Sequence, residues 1–178
     1  MLSRRDALSP QQRAEASAAI AVRAAALIED RPGRVVALYA AKGTEVATAA
    51  LDAALRAAGR TICYPRTAGD GERHLTFHAV SPAELAISQF GIREPVADAP
   101  RIELAAIETF VIPGVAFDRA GARLGWGHGY YDVTLANVLT ARRVGLAFEC
   151  QLVDQIEREA HDVLMNVVVT EVATREVA

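Results

Sequence analysis

The sequence predicts an α/β fold: a single three-layer α/β/α domain spanning 1–178, Rossmann-like, with a mostly parallel central sheet. Three observations carry that expectation. Short, nearly continuous apolar runs recur (RVVALYA at 34–40, IETFVIPGVAF at 107–117, RVGLAF at 143–148), as strands buried on both faces require. Stretches of helical period alternate with them, the signature of right-handed crossovers in a layered fold. The chain has 178 residues, 52% hydrophobic and 23% charged, which is the size and composition of one ordinary globular domain.

Each element has a local reason. The first 30 residues read as one helix, in which Ser9-Pro10-Gln11-Gln12 offers an N-cap, a proline at N1 and a glutamine at N3, and Ile20, Leu27 and Ile28 supply an apolar face through Asp30. Pro32-Gly33 ends it, and the strand at 34–40 follows. A second helix is expected over about 44–58, with Leu51 and Leu55 at i, i+4 and Gly59 as its stop. RTICYP at 60–65 is the next strand. HLTFHAV at 74–80 alternates and belongs near an edge. Ser81-Pro82 opens a short helix through Ile87, and 91–100 reads as loop. After the buried strand at 107–117 come a glycine-rich turn at 121–129, a helix at 130–140, a strand at 143–148, a short helix at 152–159 and a last strand at 166–172.

Composition excludes several functions. With 19 Lys+Arg against 22 Asp+Glu, the net charge of −3 gives no reason to expect nucleic acid or an anionic membrane as partner. Lys42 is the sole lysine, so phosphate contacts would fall on arginine. Cys63 and Cys150 show no CxxC and no zinc spacing, and Cys63 in TICYP reads as a buried small hydrophobe. The polar start MLSRRDALSPQQR is no signal peptide, and no apolar run reaches the ~20 residues of a membrane span. A cytoplasmic monomer is the expectation.

The most informative segment is Gly121-Ala-Arg-Leu-Gly-Trp-Gly-His-Gly-Tyr-Tyr-Asp132. Alternating Gly125, Gly127 and Gly129 let successive N–H groups turn inward as an anion-binding nest, and the helix that follows adds its own free N–H groups. Neither a GxGxxG fingerprint nor a Walker loop is present, since position 130 is tyrosine and no GxxxxGK[ST] occurs. Arg123, His128, Tyr130, Tyr131 and Asp132 crowd onto the same dozen residues, favouring a phosphate site over a bare turn. Glu45, beside Lys42 and Gly43, is either a helix-start carboxylate or an acceptor for a ligand. Asp162 is either a capping aspartate or, with Asp132, one of two hard oxygen ligands for Mg²⁺. His128 and His161 have no recognisable ligand spacing. Glu94 and Gln151 stand as loop residues with no evident role.

Taken in order, these segments resemble the 5-formyltetrahydrofolate cyclo-ligase (methenyltetrahydrofolate synthetase) family. The resemblance rests on Tyr39…Glu45-Val46…Thr48, Pro65-Arg66, Leu75-Thr76-Phe77 and Gly91-Ile92-Arg93-Glu94-Pro95. It continues through Pro113-Gly114-Val115-Ala116-Phe117-Asp118, the signature from Gly121 to Asp132, Gly145-Leu146-Ala147-Phe148 with Gln151, His161-Asp162 and Thr170-Glu171.

The resemblance implies a three-layer α/β fold and an ATP- and Mg²⁺-dependent conversion of 5-formyltetrahydrofolate to 5,10-methenyltetrahydrofolate. It implies catalytic roles for Arg123, Tyr130 and Asp132. Arg123, Leu124, Gly125, Trp126, Gly127, His128, Gly129, Tyr130 and Tyr131 would cradle ATP, and Asp132 and Asp162 would hold Mg²⁺. Glu45 would bind the pterin, with Ala40, Trp126 and Tyr130 lining the folate pocket. The sequence departs from the family at His128, Val133 and Asn166. The K-x-x-L-R segment upstream of Ala7-Leu8-Ser9 has no counterpart, which leaves Arg123 with less help unless Arg4 or Arg5 reaches the phosphates. A non-catalytic folate-binding relative with weakened ATP use is the alternative.

Overall fold

The computed structural model describes residues 2–30, 33–68, 73–88, 91–136, 138, 140–159 and 161–177. The one helix expected over the first 30 residues is two, α1 (Leu2–Asp6) and α2 (Pro10–Glu29), because Ser9 is extended and caps the second. They precede strand β1 (Val35–Ala37), helix α3 (Ala49–Ala57) and strand β2 (Thr61–Thr67). Strands β3 (Leu75–His78), β4 (Ala86–Ile87), β5 (Arg93–Glu94) and β6 (Arg101–Ile102) follow. Next come β7 (Thr109–Ile112), β8 (Ala116–Asp118), β9 (Arg123–Leu124) and helix α4 (Tyr130–Leu135). The last elements are β10 (Arg142–Leu146), β11 (Leu152–Val153), β12 (Val167–Val169) and β13 (Thr174–Glu176).

The main sheet runs β13-β12-β10-β7-β1-β2-β3-β6. Its five central strands are parallel, whereas β3, β6 and β13 pair antiparallel at the flanks. Among the parallel strands the spatial order is second, first, third, fourth, fifth, the doubly wound arrangement whose switch point lies between β1 and β7.

Strand periodicity sorts the core into two halves. Val36, Ile62, Val111, Val144 and Val167 point to one face, under Ile20, Ala24 and Ile28 of α2 and Leu51 and Leu55 of α3. Ala37, Cys63, Phe110, Ile112 and Val168 point to the other, under Phe117 of β8 and Leu135 of α4. The mostly parallel α/β architecture is as expected. Its second outer layer consists of the short α4 and a small sheet ordered β11-β8-β9 rather than long helices.

The capping box opening α2 is present: Gln12 N–H donates to the Ser9 hydroxyl at 3.1 Å, and Ser9 N–H donates to Gln12 Oε1 at 2.8 Å. Several other expectations need correction. The helix expected over 44–58 begins only at Ala49, because Thr48 Oγ1 donates to Tyr39 O and Glu45 accepts from Lys42 N–H, holding 42–48 as a turn. Gly59 does stop it, with φ +78°. The strand expected over 107–117 breaks in two at Pro113-Gly114, where proline has no N–H to give the ladder. No helix forms over 152–159; a 3₁₀ turn at Glu149–Gln151 leads into β11, and Ile156 N–H is taken by Asp118 Oδ2 at 2.9 Å.

The helix expected over 81–87 shrinks to a 3₁₀ turn at Pro82–Glu84, and residues expected as loop supply β5 as the partner of β4. A further strand, β13, follows the one expected to be last. Helix α4 ends at Leu135, short of 140; Pro32, expected to end α2, lies outside the described residues.

Cys63 is fully buried in β2, as its apolar neighbours suggested. Burial pushes its thiol from an ordinary 9.0 up to about 12. The fold therefore favours the neutral thiol, and this group's contribution to stability is complete below about pH 9 and lost as pH rises through about 12. Iodoacetamide at pH 8 should leave Cys63 unmodified in the native protein and label it only after denaturation, as peptide mass mapping would show.

Candidate active site

At the switch point the connections from β1 and β7 leave in opposite directions, opening a crevice at the carboxyl ends of those strands. A cavity of about 940 Å³ lies there. It is bounded by the 39–45 turn after β1, Pro113 after β7, the 123–132 segment, the 156–162 segment and α1.

The glycine-rich segment is placed by a hairpin. β8 and β9 pair antiparallel, Phe117 opposite Arg123, and Asp118 Oδ1 closes the turn by accepting from the N–H groups of Ala120 and Ala122, each at 2.9 Å. Arg123 is thereby aimed inward, where its Nη2 meets Asp132 Oδ2 at 2.8 Å. Both side chains are largely buried, at 8% and 16% exposure. Asp132 Oδ1 also accepts from Val163 N–H at 3.2 Å, so one carboxylate joins β9, α4 and the 162–163 segment. The guanidinium lies 5.7 Å from the centre of the Tyr131 ring, and its buried Nε has no hydrogen-bond partner among the described residues.

The glycines have separate reasons. A Cβ on Gly125 would lie 2.6 Å from Arg123 Nη1, so that position is empty to admit the guanidinium. Gly127 and Gly129 take left-handed φ of +82° and +68°, and a Cβ at either would meet nothing within 4 Å, so the requirement there is conformational. Gly129 is the N-cap of α4, which has six residues, so the helix-end field invoked from the sequence is that of a short element.

On the opposite wall, Glu45 Oε2 accepts from Lys42 N–H at 2.8 Å, and Oε1 faces Trp126 Nε1 at 3.4 Å. The indole is 57% exposed and covers Arg5, whose Cζ is 5.8 Å from the ring centre. Arg5 itself is 3% exposed; its Nε donates to Thr44 Oγ1 at 3.0 Å, and its buried Nη1 has no partner among the described residues. Arg5, rather than Arg4, is the basic residue of α1 on the cavity wall.

Residues 1–171 match the model of the 5-formyltetrahydrofolate cyclo-ligase family. The chain belongs to that family. It is 33% identical over 171 residues to the 5-formyltetrahydrofolate cyclo-ligase of Escherichia coli K12, covering 94% of each chain. To the enzyme of the same name from Mycolicibacterium smegmatis it is 34% identical over 143 residues, covering 78% of this chain and 74% of the other. The solved structure of Aquifex aeolicus 5,10-methenyltetrahydrofolate synthetase superposes with a TM-score of 0.83 at 32% identity, covering 99% of this chain and 88% of that one.

As a member of this ligase family the chain gathers all its sequence-predicted site residues on one cavity: Ala40, Glu45, the run from Arg123 to Asp132, and Asp162. Asp162 Oδ2 accepts from Glu159 N–H at 2.8 Å. Among the described residues no three His, Cys, Asp or Glu side chains cluster as a preformed metal centre.

Two residues, Gln151 and Glu94, had no role assigned from the sequence, and a third, Arg5, was offered only as an alternative to Arg4. Arg5 sits in a run that resembles any solvated basic stretch. Gln151 is buried; its Nε2 donates to Gly114 O and Val115 O at 2.9 and 3.1 Å, bracing the turn beneath Arg123. Glu94 is a buried carboxylate on the cavity wall, and the weak signal for it was its place before Pro95.

The packing at Gly125 gives a specific expectation. Gly125→Ala should displace Arg123 and lower kcat/KM by about 10- to 100-fold, the effect of a small misplacement of a positioning group. Its melting temperature should fall by no more than a few degrees. Unchanged steady-state kinetics would contradict this packing.

Proposed function

We propose that this chain converts 5-formyltetrahydrofolate to 5,10-methenyltetrahydrofolate in an ATP- and Mg²⁺-dependent reaction that releases ADP and phosphate. Family membership supports the folate substrate, and one observation carries the nucleotide: the buried Arg123 guanidinium on the cavity wall, with an N–H that no described protein group accepts. Such a donor suits an anionic oxygen. The backbone at Gly127 and Gly129 has open space beside it for a phosphate chain.

Asp132 and Asp162 fit Mg²⁺ as hard oxygen donors on the same wall. Each Asp132 oxygen accepts one described hydrogen bond and keeps a lone pair. When bound, Mg-ATP supplies the phosphoryl group that turns the formyl oxygen into a good leaving group, so that N10 can close the ring.

The chain's own work is positioning and charge neutralisation. Arg123 offsets phosphate charge, and Asp132 keeps its guanidinium from swinging out. Leu124 to Tyr131, including His128, form the nucleotide cradle. Trp126 offers a flat apolar face to a heterocycle, Ala40 leaves room beside it, and Tyr130 and Glu45 contact the folate. Burial raises the Tyr131 and Tyr39 phenols, so both stay neutral hydrogen-bond donors at physiological pH. The chain is read as one domain acting as a cytoplasmic monomer; among the described residues no helix is long and apolar enough to cross a membrane.

The protein incubated with 5-formyltetrahydrofolate, ATP and Mg²⁺ should generate the absorbance of the methenyl product. Omitting ATP or chelating the metal with EDTA should abolish it. Product formed without ATP would contradict the proposal, and folate binding without product would mark a non-catalytic relative.

A further inference from the structure

We propose that Glu94 reads the pterin ring of the substrate, its two carboxylate oxygens accepting from the ring's N3–H and 2-amino group. The inference rests on the folate reading above and adds the residue that selects the ring.

Glu94 is 5% exposed yet belongs to the cavity wall. The Thr67 hydroxyl reaches it, at 3.1 Å to Oε2 and 3.4 Å to Oε1, and a hydroxyl has a single proton to give. No other donor to this carboxylate is found among the described residues. A buried carboxylate is ordinarily paired or multiply hydrogen-bonded. Asp52, equally buried, shows what that looks like here: it takes Arg56 Nε at 2.9 Å and Tyr64 Oη at 2.9 Å. Asp118 accepts three backbone N–H groups. Among the described residues Glu94 is the buried acid left short of donors, and it lies on the cavity wall.

The carboxylate is also held still. It rides on β5, paired with β4 through Ala86 opposite Glu94, and the next residue is anchored by Arg66 Nη1 donating to Pro95 O at 2.7 Å. Pro65, Leu75 and Ile92 line the cavity with it, an apolar surround suited to a flat ring. A 2-amino-4-oxo pterin carries two adjacent N–H donors on one edge, and a carboxylate matches that edge with two parallel hydrogen bonds. Glu45 is less suited to that edge, since its oxygens already face Lys42 N–H and Trp126 Nε1.

The test is equilibrium binding of 5-formyltetrahydrofolate, and of its 2-desamino analogue, to the whole protein and to Glu94→Gln. The amide keeps the shape and the Thr67 contact but sets its NH₂ against a ring donor. Wild type should bind the parent and lose on the order of 10- to 100-fold in affinity for the analogue, as for one hydrogen bond to a charged group. Glu94→Gln should weaken parent binding by a similar factor, discriminate little between the two ligands, and keep KM for ATP and the melting temperature of wild type.

Undiminished parent binding by Glu94→Gln would overturn the inference alone. Equal binding of parent and analogue by wild type would overturn it too, and that arm needs no variant to fold. Failure of wild type to bind 5-formyltetrahydrofolate at all would overturn the folate reading and this inference with it.

Discussion

The ion pair between Arg123 and Asp132 is the constraint on which the rest of the site depends. At 2.8 Å and largely shielded from water, it joins residues nine positions apart and fixes both ends of the glycine-rich segment between them. Breaking a buried pair by removing one partner typically costs about 3–5 kcal/mol, because the remaining charge is stranded. Its neighbours conform to it. Gly125 has no side chain because the guanidinium fills that space, and a Cβ on Gly114 would lie 3.1 Å from Arg123 Cγ. Gln151 braces the turn containing Gly114 from below. Val163 N–H is taken by the same aspartate, which carries the neighbouring Asp162 to the cavity.

The sheet explains why this pair lies where it can act. Strand order reverses between β1 and β7, so their loops diverge and leave a crevice that packing does not fill. The two long helices cover one face of the sheet, whereas the other carries α4 and a small sheet whose hairpin delivers Arg123. Gly145 belongs to the same arrangement: Phe117, from that hairpin, packs where its Cβ would stand, at 2.6 Å. The cavity is then closed from the amino-terminal side by α1. Arg5 adds a second buried guanidinium, next to Trp126, with an N–H that has no partner among the described residues. The arginine-rich composition thus places two largely buried guanidinium groups, Arg5 and Arg123, on the wall of one cavity.

Much of this was legible in the sequence. Apolar runs marked β1, β7, β10 and β12, the capping box marked α2, and the glycine-rich signature marked the loop that lines the cavity. What was not legible depends on contacts distant in sequence. The 42–48 turn displaced the start of α3 because Tyr39 O and Lys42 N–H took side-chain partners. The segment after Gln151 has helical composition, but Asp118 claims Ile156 N–H and keeps the chain extended. Burial and hydrogen-bond partners, which no local pattern encodes, separate Arg5 from Arg4 and show Glu94 as a buried carboxylate with Thr67 as its one donor among the described residues. The short α4 also shifts weight from a helix dipole to the Arg123 side chain.

Arg123 and Asp132 act as one unit to organise the loop. A double-mutant cycle on kcat/KM with Arg123→Lys, Asp132→Asn and the combined variant measures this most directly. Residues that act as a unit are strongly non-additive, so the combined variant should lose little more than the worse single variant. Losses that multiply, each single factor compounding in the double, would show two independent residues and contradict the account.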